Sequence, residues 1–139
     1  ITGFPTETER DHQDTLSLME EVKYDFGYMF AYSERPGTYA ARHFNDDIST
    51  ELKQRRLEEI ITLQQKHSFE RNKRFLNSEC SVLIDKSSKK SNEYWSGRTS
   101  ENNVVVFPKY DFSLGDIVNV KVQDCTTATL IGDVNKIKV

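Results

Sequence analysis

The sequence has few cysteines and lacks a long apolar run. Its two cysteines, Cys80 and Cys125, have a spacing that matches no metal site, and two thiols are too few for a disulfide framework. A reducing compartment and two small buried apolar side chains are therefore predicted. No apolar stretch approaches the roughly 20 residues of a membrane-spanning helix, and no signal peptide is visible. We predict a cytoplasmic protein without a membrane partner.

An excess of basic charge is also missing, because the formal net charge of the 139 residues is -3. Residues 1–76 carry 14 acidic and 11 basic side chains, and residues 77–139 carry eight of each. Any site for a polyanion must therefore be a local patch. The histidines, His12, His43 and His67, have no metal-ligand spacing and are predicted to be solvated. No Ser/His/Asp or Cys/His catalytic arrangement is evident.

The first part of the chain, residues 1–76, predicts alternating strands and helices. Thr6 and Glu9 have the spacing of a capping box, which predicts a helix over about 7–24. The aromatic segment 26–32 predicts a buried strand. Ser49 is predicted to cap a long helix, whose polar second half is expected to run along a surface.

The second part, residues 77–139, predicts a different architecture. Short apolar segments with strand periodicity are separated by Gly, Asn, Ser and Asp. These segments predict a small antiparallel β-barrel that resembles an oligonucleotide-binding fold. The segments are 80–84, 103–107, 116–122 and 128–134.

One candidate ligand site lies in the first part. Gly3, Pro5 and Glu7 follow a predicted strand end and lead into a helix, where backbone amides can meet a ligand. Arg35, in a Pro-Gly turn, can clamp a carboxylate or phosphate. The alternatives are an ordinary strand-to-helix turn and a surface ion pair.

A second candidate site, for RNA, lies in the β part. Basic residues are interleaved with aromatic residues, so cations can meet phosphates while rings stack on unpaired bases. The alternatives are a solvated Lys-rich loop and an indole that caps the barrel core. The candidate RNA-binding residues are Lys89, Lys90, Trp95, Arg98, Asn102, Asn103 and Phe107.

Three motifs, together with the pattern of the terminal strand, carry a family resemblance. GFPTET (3–8), FAYSERPGT (30–38) and GRTSENNVVVF (97–107) resemble, in this order, the C-terminal part of the radical S-adenosylmethionine methylthiotransferases. The resemblance implies an α+β chain in two parts. Residues 1–76 would be the closing portion of a radical SAM (β/α) barrel, and residues 77–139 a TRAM domain, a small β-barrel associated with RNA binding.

The resemblance also implies a reaction for the parent enzyme. The hairpin motif is similar to the tRNA-modifying branch, which methylthiolates carbon 2 of N6-dimethylallyladenosine next to the anticodon. Its cofactors would be S-adenosylmethionine, near Gly3, Pro5, Glu7 and Arg35, and two 4Fe-4S clusters. Its partner would be the tRNA anticodon stem-loop. The alternatives are the sibling branch that acts on a ribosomal protein and a free-standing RNA-binding module.

The sequence departs from this family in its cysteines. The CxxxCxxC signature that holds an iron–sulfur cluster is absent. The chain also begins within a predicted strand, so we expect a fragment that is inactive alone and binds no cofactor. Its natural partner would be the missing N-terminal part of the enzyme. Open sheet edges predict non-native self-association of the isolated chain.

Overall fold

The computed structural model describes residues 1–134. The chain divides into two compact units, Ile1–Ser68 and Phe69–Val139. The last five residues of the predicted second part, 135–139, lie outside the described residues. The first unit contains helices, and the second contains the β-barrel.

Helix α1 spans Glu9–Val22, and its N-cap lies two residues after the predicted cap, Thr6. Thr8 is the N-cap, and it forms a capping box with Asp11. The predicted pair was wrong because Thr6 has a positive φ of 72°, and its N–H donates to Asp47 Oδ1 at 2.8 Å. The position of the cap therefore depends on a residue about 40 positions away.

Two further helices follow, α2 at Tyr39–His43 and α3 at Thr50–Asn72. The predicted cap of α3 is confirmed, since Ser49 Oγ accepts from the Leu52 N–H at 3.2 Å. The second half of α3 has one buried face, which includes Gln64, and an exposed face with Gln65 and Lys66, as expected of a helix along a surface. The Gln64 side-chain amide donates to the Tyr24 carbonyl at 2.8 Å, so a polar contact holds this part of the helix.

Two of the three histidines are buried and not solvated as predicted. His12 Nε2 lies 2.6 Å from Glu59 Oε2, and His67 Nε2 lies 3.2 Å from Glu20 Oε2. Buried polar groups are retained where they find such partners. The His12 contact is also the main reason that the pKa of the Glu59 carboxyl is lowered. His43 is exposed, as predicted.

The aromatic segment 26–32 is neither a regular strand nor buried. Its one bridge joins Ala31 to Thr2, in parallel orientation. Tyr28 is 82% exposed, and Phe30 is also largely exposed. A single bridge cannot form a ladder, so the predicted buried strand is wrong for the described residues.

The second unit begins with the last residues of α3, continues through a short 3₁₀ turn, Lys73–Phe75, and then forms a closed barrel of five strands. The order around the barrel is β1-β2-β3-β5-β4, and β3 pairs with β5 in parallel while the other pairs are antiparallel. The predicted β-barrel is confirmed, with that one parallel pairing as a correction. The strands are β1 Glu79–Ser87, β2 Tyr94–Arg98, β3 Val104–Pro108, β4 Ile117–Cys125 and β5 Leu130–Val134.

Alternating residues of the strands fill the barrel. Val118, Val120 and Val122 of β4 point inward and are buried, as their spacing predicted. Phe107 is the largest fully buried side chain. Within residues 1–134, no helix combines the length and apolar character needed to cross a membrane.

Candidate nucleic-acid interface

A groove of about 520 Å³ lies along the barrel surface where β2, β3 and β5 are neighbours. Its apolar lining comes from Val104, Val106 and Ile131, and the last two are partners in the β3–β5 register. The same strands turn Val105, Phe107 and Leu130 into the core. The other lining residues are Lys86, Ser88, Lys89, Lys90, Ser91, Tyr94, Ser96, Thr126 and Thr129.

Two connections frame the groove. Residues 88–91 belong to the loop between β1 and β2, and Thr126 and Thr129 belong to the turn between β4 and β5. In five-stranded barrels of the oligonucleotide-binding type, the β2–β3 face and these two loops form the ligand surface. The groove therefore lies where this architecture binds oligonucleotides and oligosaccharides.

The groove carries its positive charge at one end. Lys86, Lys89 and Lys90 line it, and all three are exposed. Local bonds shape their loop: the Ser88 N–H donates to the Tyr94 carbonyl at 2.9 Å, and Ser91 Oγ accepts from the Glu93 N–H at 3.1 Å. Two of the seven predicted RNA-binding residues, Lys89 and Lys90, are therefore placed in the groove.

The exposed aromatic residue of the groove was not among the seven candidate RNA-binding residues. Tyr94 lines the groove and is 39% exposed. Trp95, the residue that had been predicted, packs against the barrel core instead. Since neighbouring side chains of a strand face opposite sides, an inward Trp95 implies an outward Tyr94. That signal was available only once β2 was known to be a strand.

Phe107 supports the barrel and is not free to stack on bases. Phe107 is fully buried, so no base can reach its ring. Trp95 is opposite Phe107 in the β2–β3 register and lies beneath Lys109, whose Nζ is 4.4 Å from the ring centroid. These rings were predicted either to stack on bases or to support the hairpin. Because Phe107 is buried, only the supporting role remains for it.

Arg98 closes the turn of the β2–β3 hairpin. Its Nη1 donates to the Asn102 carbonyl at 3.1 Å and to Asn102 Oδ1 at 2.9 Å, while its Nε lies 3.8 Å from Asp85 Oδ2. Asn102 has a φ of 69°, a left-handed conformation that asparagine tolerates better than most residues. Arginine and asparagine thus stand together in this motif because one braces the other.

Asn103 also bonds within the chain. Its Nδ2 donates to Asn72 Oδ1 at 3.4 Å, and its backbone N–H donates to Thr99 Oγ1 at 3.2 Å. The groove lining includes neither Asn102 nor Asn103, and Arg98 is also outside it. The predicted RNA-binding residues therefore fall into three sets: lysines in the groove, a hydrogen-bonded hairpin turn, and two rings in or against the barrel core.

Comparison with known proteins assigns a domain family to the second unit and relatives to nearly the whole chain. The TRAM domain family matches residues 73–135, which include all five strands. Over 133 residues, or 96% of the chain, the sequence is 63% identical to a tRNA-2-methylthio-N(6)-dimethylallyladenosine synthase of Christiangramia forsetii. Synthases with the same description from Flavobacterium psychrophilum and Amoebophilus asiaticus are 58% and 55% identical over the same share.

The chain is a homologue of these synthases and contains a TRAM domain. The resemblance drawn from the three motifs is thereby confirmed. The chain spans 28% of the length of these three relatives.

In this synthase homologue, two of the predicted cofactor residues, Gly3 and Glu7, form one hydrogen-bonded cluster with Arg56. The Gly3 N–H donates to Glu7 Oε1 at 3.0 Å, and Arg56 Nη1 donates to the same oxygen at 2.7 Å. Pro5 is fully buried. Gly3 has a φ of +72°, and a Cβ there would lie 2.4 Å from Lys53 Cγ, so glycine is required for both conformation and space.

Arg35 lies apart from that cluster. It is exposed and lines a separate groove of about 520 Å³ together with Ser33 and Thr38. Its carbonyl accepts from Thr38 Oγ1 at 2.8 Å, which shapes the turn before α2. Gly3, Pro5 and Glu7 do not line this groove.

The two cysteines of this chain do not fit an iron–sulfur cluster. Such a cluster is held by several Cys thiolates, and this chain has two cysteines. Cys125 is buried in the barrel core, where burial raises the pKa of its thiol. Among residues 1–134, no three His, Cys, Asp or Glu side chains are grouped so that they could hold a metal ion.

Proposed function

We propose that the TRAM domain binds the anticodon stem-loop of tRNA in the groove between the β1–β2 loop and the β4–β5 turn. The parent enzyme would methylthiolate carbon 2 of N6-dimethylallyladenosine next to the anticodon. The relatives are named as synthases of tRNA-2-methylthio-N(6)-dimethylallyladenosine, which supports this reaction. The observation that carries this proposal is the groove itself, with three lysines beside an apolar strip and an exposed tyrosine.

The chemistry of the groove suits unpaired RNA. Lys86, Lys89 and Lys90 can neutralise phosphates, and the Tyr94 ring can stack on a base whose other side is free. The apolar strip can accept the face or edge of the same base. Thr126 and Thr129 of the β4–β5 turn also line the groove, and the Thr129 hydroxyl can meet ribose or phosphate oxygens.

We further propose that residues 1–76 close a radical SAM barrel whose remainder is another part of the same cytoplasmic enzyme. S-adenosylmethionine and the two 4Fe-4S clusters would supply the radical, sulfur and methyl chemistry. Phe26, Tyr28 and Phe30 expose aromatic surface that such a remainder would cover. The isolated chain is therefore expected to be inactive and to self-associate.

Removing the two loop lysines tests the RNA proposal. The double variant Lys89→Ala/Lys90→Ala is expected to bind an anticodon stem-loop about tenfold more weakly at low salt, because two phosphate contacts are lost. The slope of log affinity against log salt concentration should fall by about one unit for each contact. Fluorescence anisotropy with labelled stem-loop RNA, at four salt concentrations, measures both quantities.

The matched control is Lys121→Ala. Lys121 is an exposed lysine on β4, outside the groove but in the same barrel. The control should leave affinity and salt slope close to those of the unchanged chain. Equal losses in the two variants would show that overall charge, and not the groove, governs binding, and the proposal would be wrong.

A further inference from the structure

Asn72, the last residue of α3, is buried in the second unit and is 5% exposed. Its Nδ2 donates to the Thr126 carbonyl oxygen at 2.9 Å. A carbonyl oxygen can only accept, so this bond determines the orientation of the Asn72 amide. Asn72 Oδ1 then faces Asn103, whose Nδ2 donates to it at 3.4 Å.

The carbonyl that Asn72 holds belongs to the wall of the groove. Thr126 begins the β4–β5 turn, and its Oγ1 accepts from the N–H groups of Ala128 at 3.2 Å and Thr129 at 3.0 Å. The Thr126 N–H closes the turn on the Thr129 carbonyl at 2.8 Å. These bonds shape the turn from within, whereas the bond from Asn72 ties it to the end of α3.

The other bond of Asn72 reaches the hairpin turn. Asn103 closes that turn with Thr99, since the Thr99 N–H donates to the Asn103 carbonyl at 3.1 Å. Arg98 braces it through Asn102. One buried amide thus bridges two turns that are remote in sequence.

We propose that Asn72 is a positioning residue for the RNA groove, which acts by holding the β4–β5 turn so that Thr126 and Thr129 face the ligand. This inference rests on the proposed function of the groove. Without the Asn72 amide, the Thr126 carbonyl must turn toward water to recover a hydrogen bond. The wall of the groove would then move, although no charge or ligand contact has been removed.

The test compares three single variants. Asn72→Asp keeps the acceptor for Asn103 but has no donor for the Thr126 carbonyl, and Asn72→Ala removes both bonds. Asn103→Ala removes only the bond between the two amides. The matched control is Asn119→Ala, an exposed asparagine on β4 outside the groove.

Two quantities are measured on each variant of the 139-residue chain. Hydrogen exchange of the peptide that contains Ala128 and Thr129 reports the order of the turn. Anisotropy reports affinity for the anticodon stem-loop RNA. Emission of Trp95, the single tryptophan, shows whether the barrel is folded.

We expect both Asn72 variants to speed exchange of the turn about tenfold and to weaken RNA binding about threefold to tenfold. Asn103→Ala should have a smaller effect on both, and Asn119→Ala none. Faster exchange with unchanged affinity, while Lys89→Ala/Lys90→Ala still weakens binding, would overturn the positioning role and leave the groove proposal intact. Unchanged affinity in the Asn72 variants and in the lysine variant would overturn both.

If Asn72→Ala unfolds the barrel, Asn72→Asp and Asn103→Ala carry the test. A loss of affinity in a folded Asn72→Asp variant supports the role through the Thr126 bond. A loss of equal size in Asn103→Ala would contradict it, because that change leaves the Thr126 bond in place.

Discussion

Replacing Gly97 by alanine is expected to destabilise the barrel by about 3 kcal/mol, at the upper end of the usual cost of overpacking. A Cβ at Gly97 would lie 2.4 Å from the Leu83 carbonyl oxygen and 2.5 Å from Val82 Cγ1. Leu83 belongs to β1, which is paired to both β2 and β4, so its backbone cannot retreat without breaking a ladder. The substitution must therefore move a strand of the closed barrel.

Urea unfolding followed by Trp95 emission measures this loss, because the single tryptophan lies in β2. The control is Gly115→Ala, in the same barrel unit. Gly115 has a φ of +91°, and a Cβ there meets no atom within 4 Å. Only backbone strain is expected there, about 1 to 2 kcal/mol. A loss for Gly97→Ala no larger than for Gly115→Ala would show that the strands are not closely packed at Gly97.

Replacing Glu7 by glutamine is expected to destabilise the first unit by about 3 kcal/mol. The change keeps the size of the side chain but removes the charge that faces Arg56. Arg56 is nearly fully buried, and its Nη1 lies 2.7 Å from Glu7 Oε1. A buried guanidinium that loses its main counter-charge is poorly compensated by the remaining contact to Glu9, at 3.3 Å.

Thermal unfolding followed by far-UV circular dichroism measures this effect, because α1 and α3 supply most of the helix in the chain. The matched control is Glu34→Gln, an exposed carboxylate in the same unit, for which a change within about 0.5 kcal/mol is expected. Similar melting curves for the two variants would contradict a structural ion pair at Glu7.

This experiment also bears on the cofactor prediction for Gly3, Pro5 and Glu7. If Glu7 holds Arg56 and the Gly3 amide, its loss should reduce stability in the isolated chain, where the rest of the proposed barrel is missing. If Glu7 instead serves only a ligand, stability should be unchanged, and binding of S-adenosylmethionine by the complete enzyme should fall. The hydrogen bonds to Glu7 favour the first result.

Features that depend on neighbouring residues could be predicted from the sequence alone. The alternation of Val118, Val120 and Val122 predicted a half-buried strand, and Ser49 predicted the start of a long helix, because both signals are local. The lysines at 89 and 90 predicted a basic loop for the same reason. The motif resemblance identified the family, since it needed only residue types in order.

Features that depend on partners remote in the chain were decided by the tertiary structure. β2 has the sequence YWSGR, without clear alternation, and it is a strand because β1 and β3 pair with it on both sides. Segment 26–32 shows the opposite case. Its aromatic residues predict a buried strand, but among the described residues only Thr2 pairs with its backbone, so no strand forms.

The polar residues show the same limit most clearly. His12 and Arg56 are residue types that are usually found at a solvated surface, yet both are buried. Each meets a carboxylate remote in the chain, Glu59 for His12 and Glu7 for Arg56. Arg98 was predicted from its type to bind phosphate, and this stays a prediction; only the structure shows that its Nη1 donates to Asn102 Oδ1 and that its Nε lies 3.8 Å from Asp85 Oδ2. The sequence by itself determined the two long helices, most of the barrel strands and the family, and the tertiary structure alone decided which polar side chains face the groove and which hold the fold. The physical reason is that a polar side chain is buried or exposed according to whether a partner satisfies it, and that partner can lie anywhere along the chain.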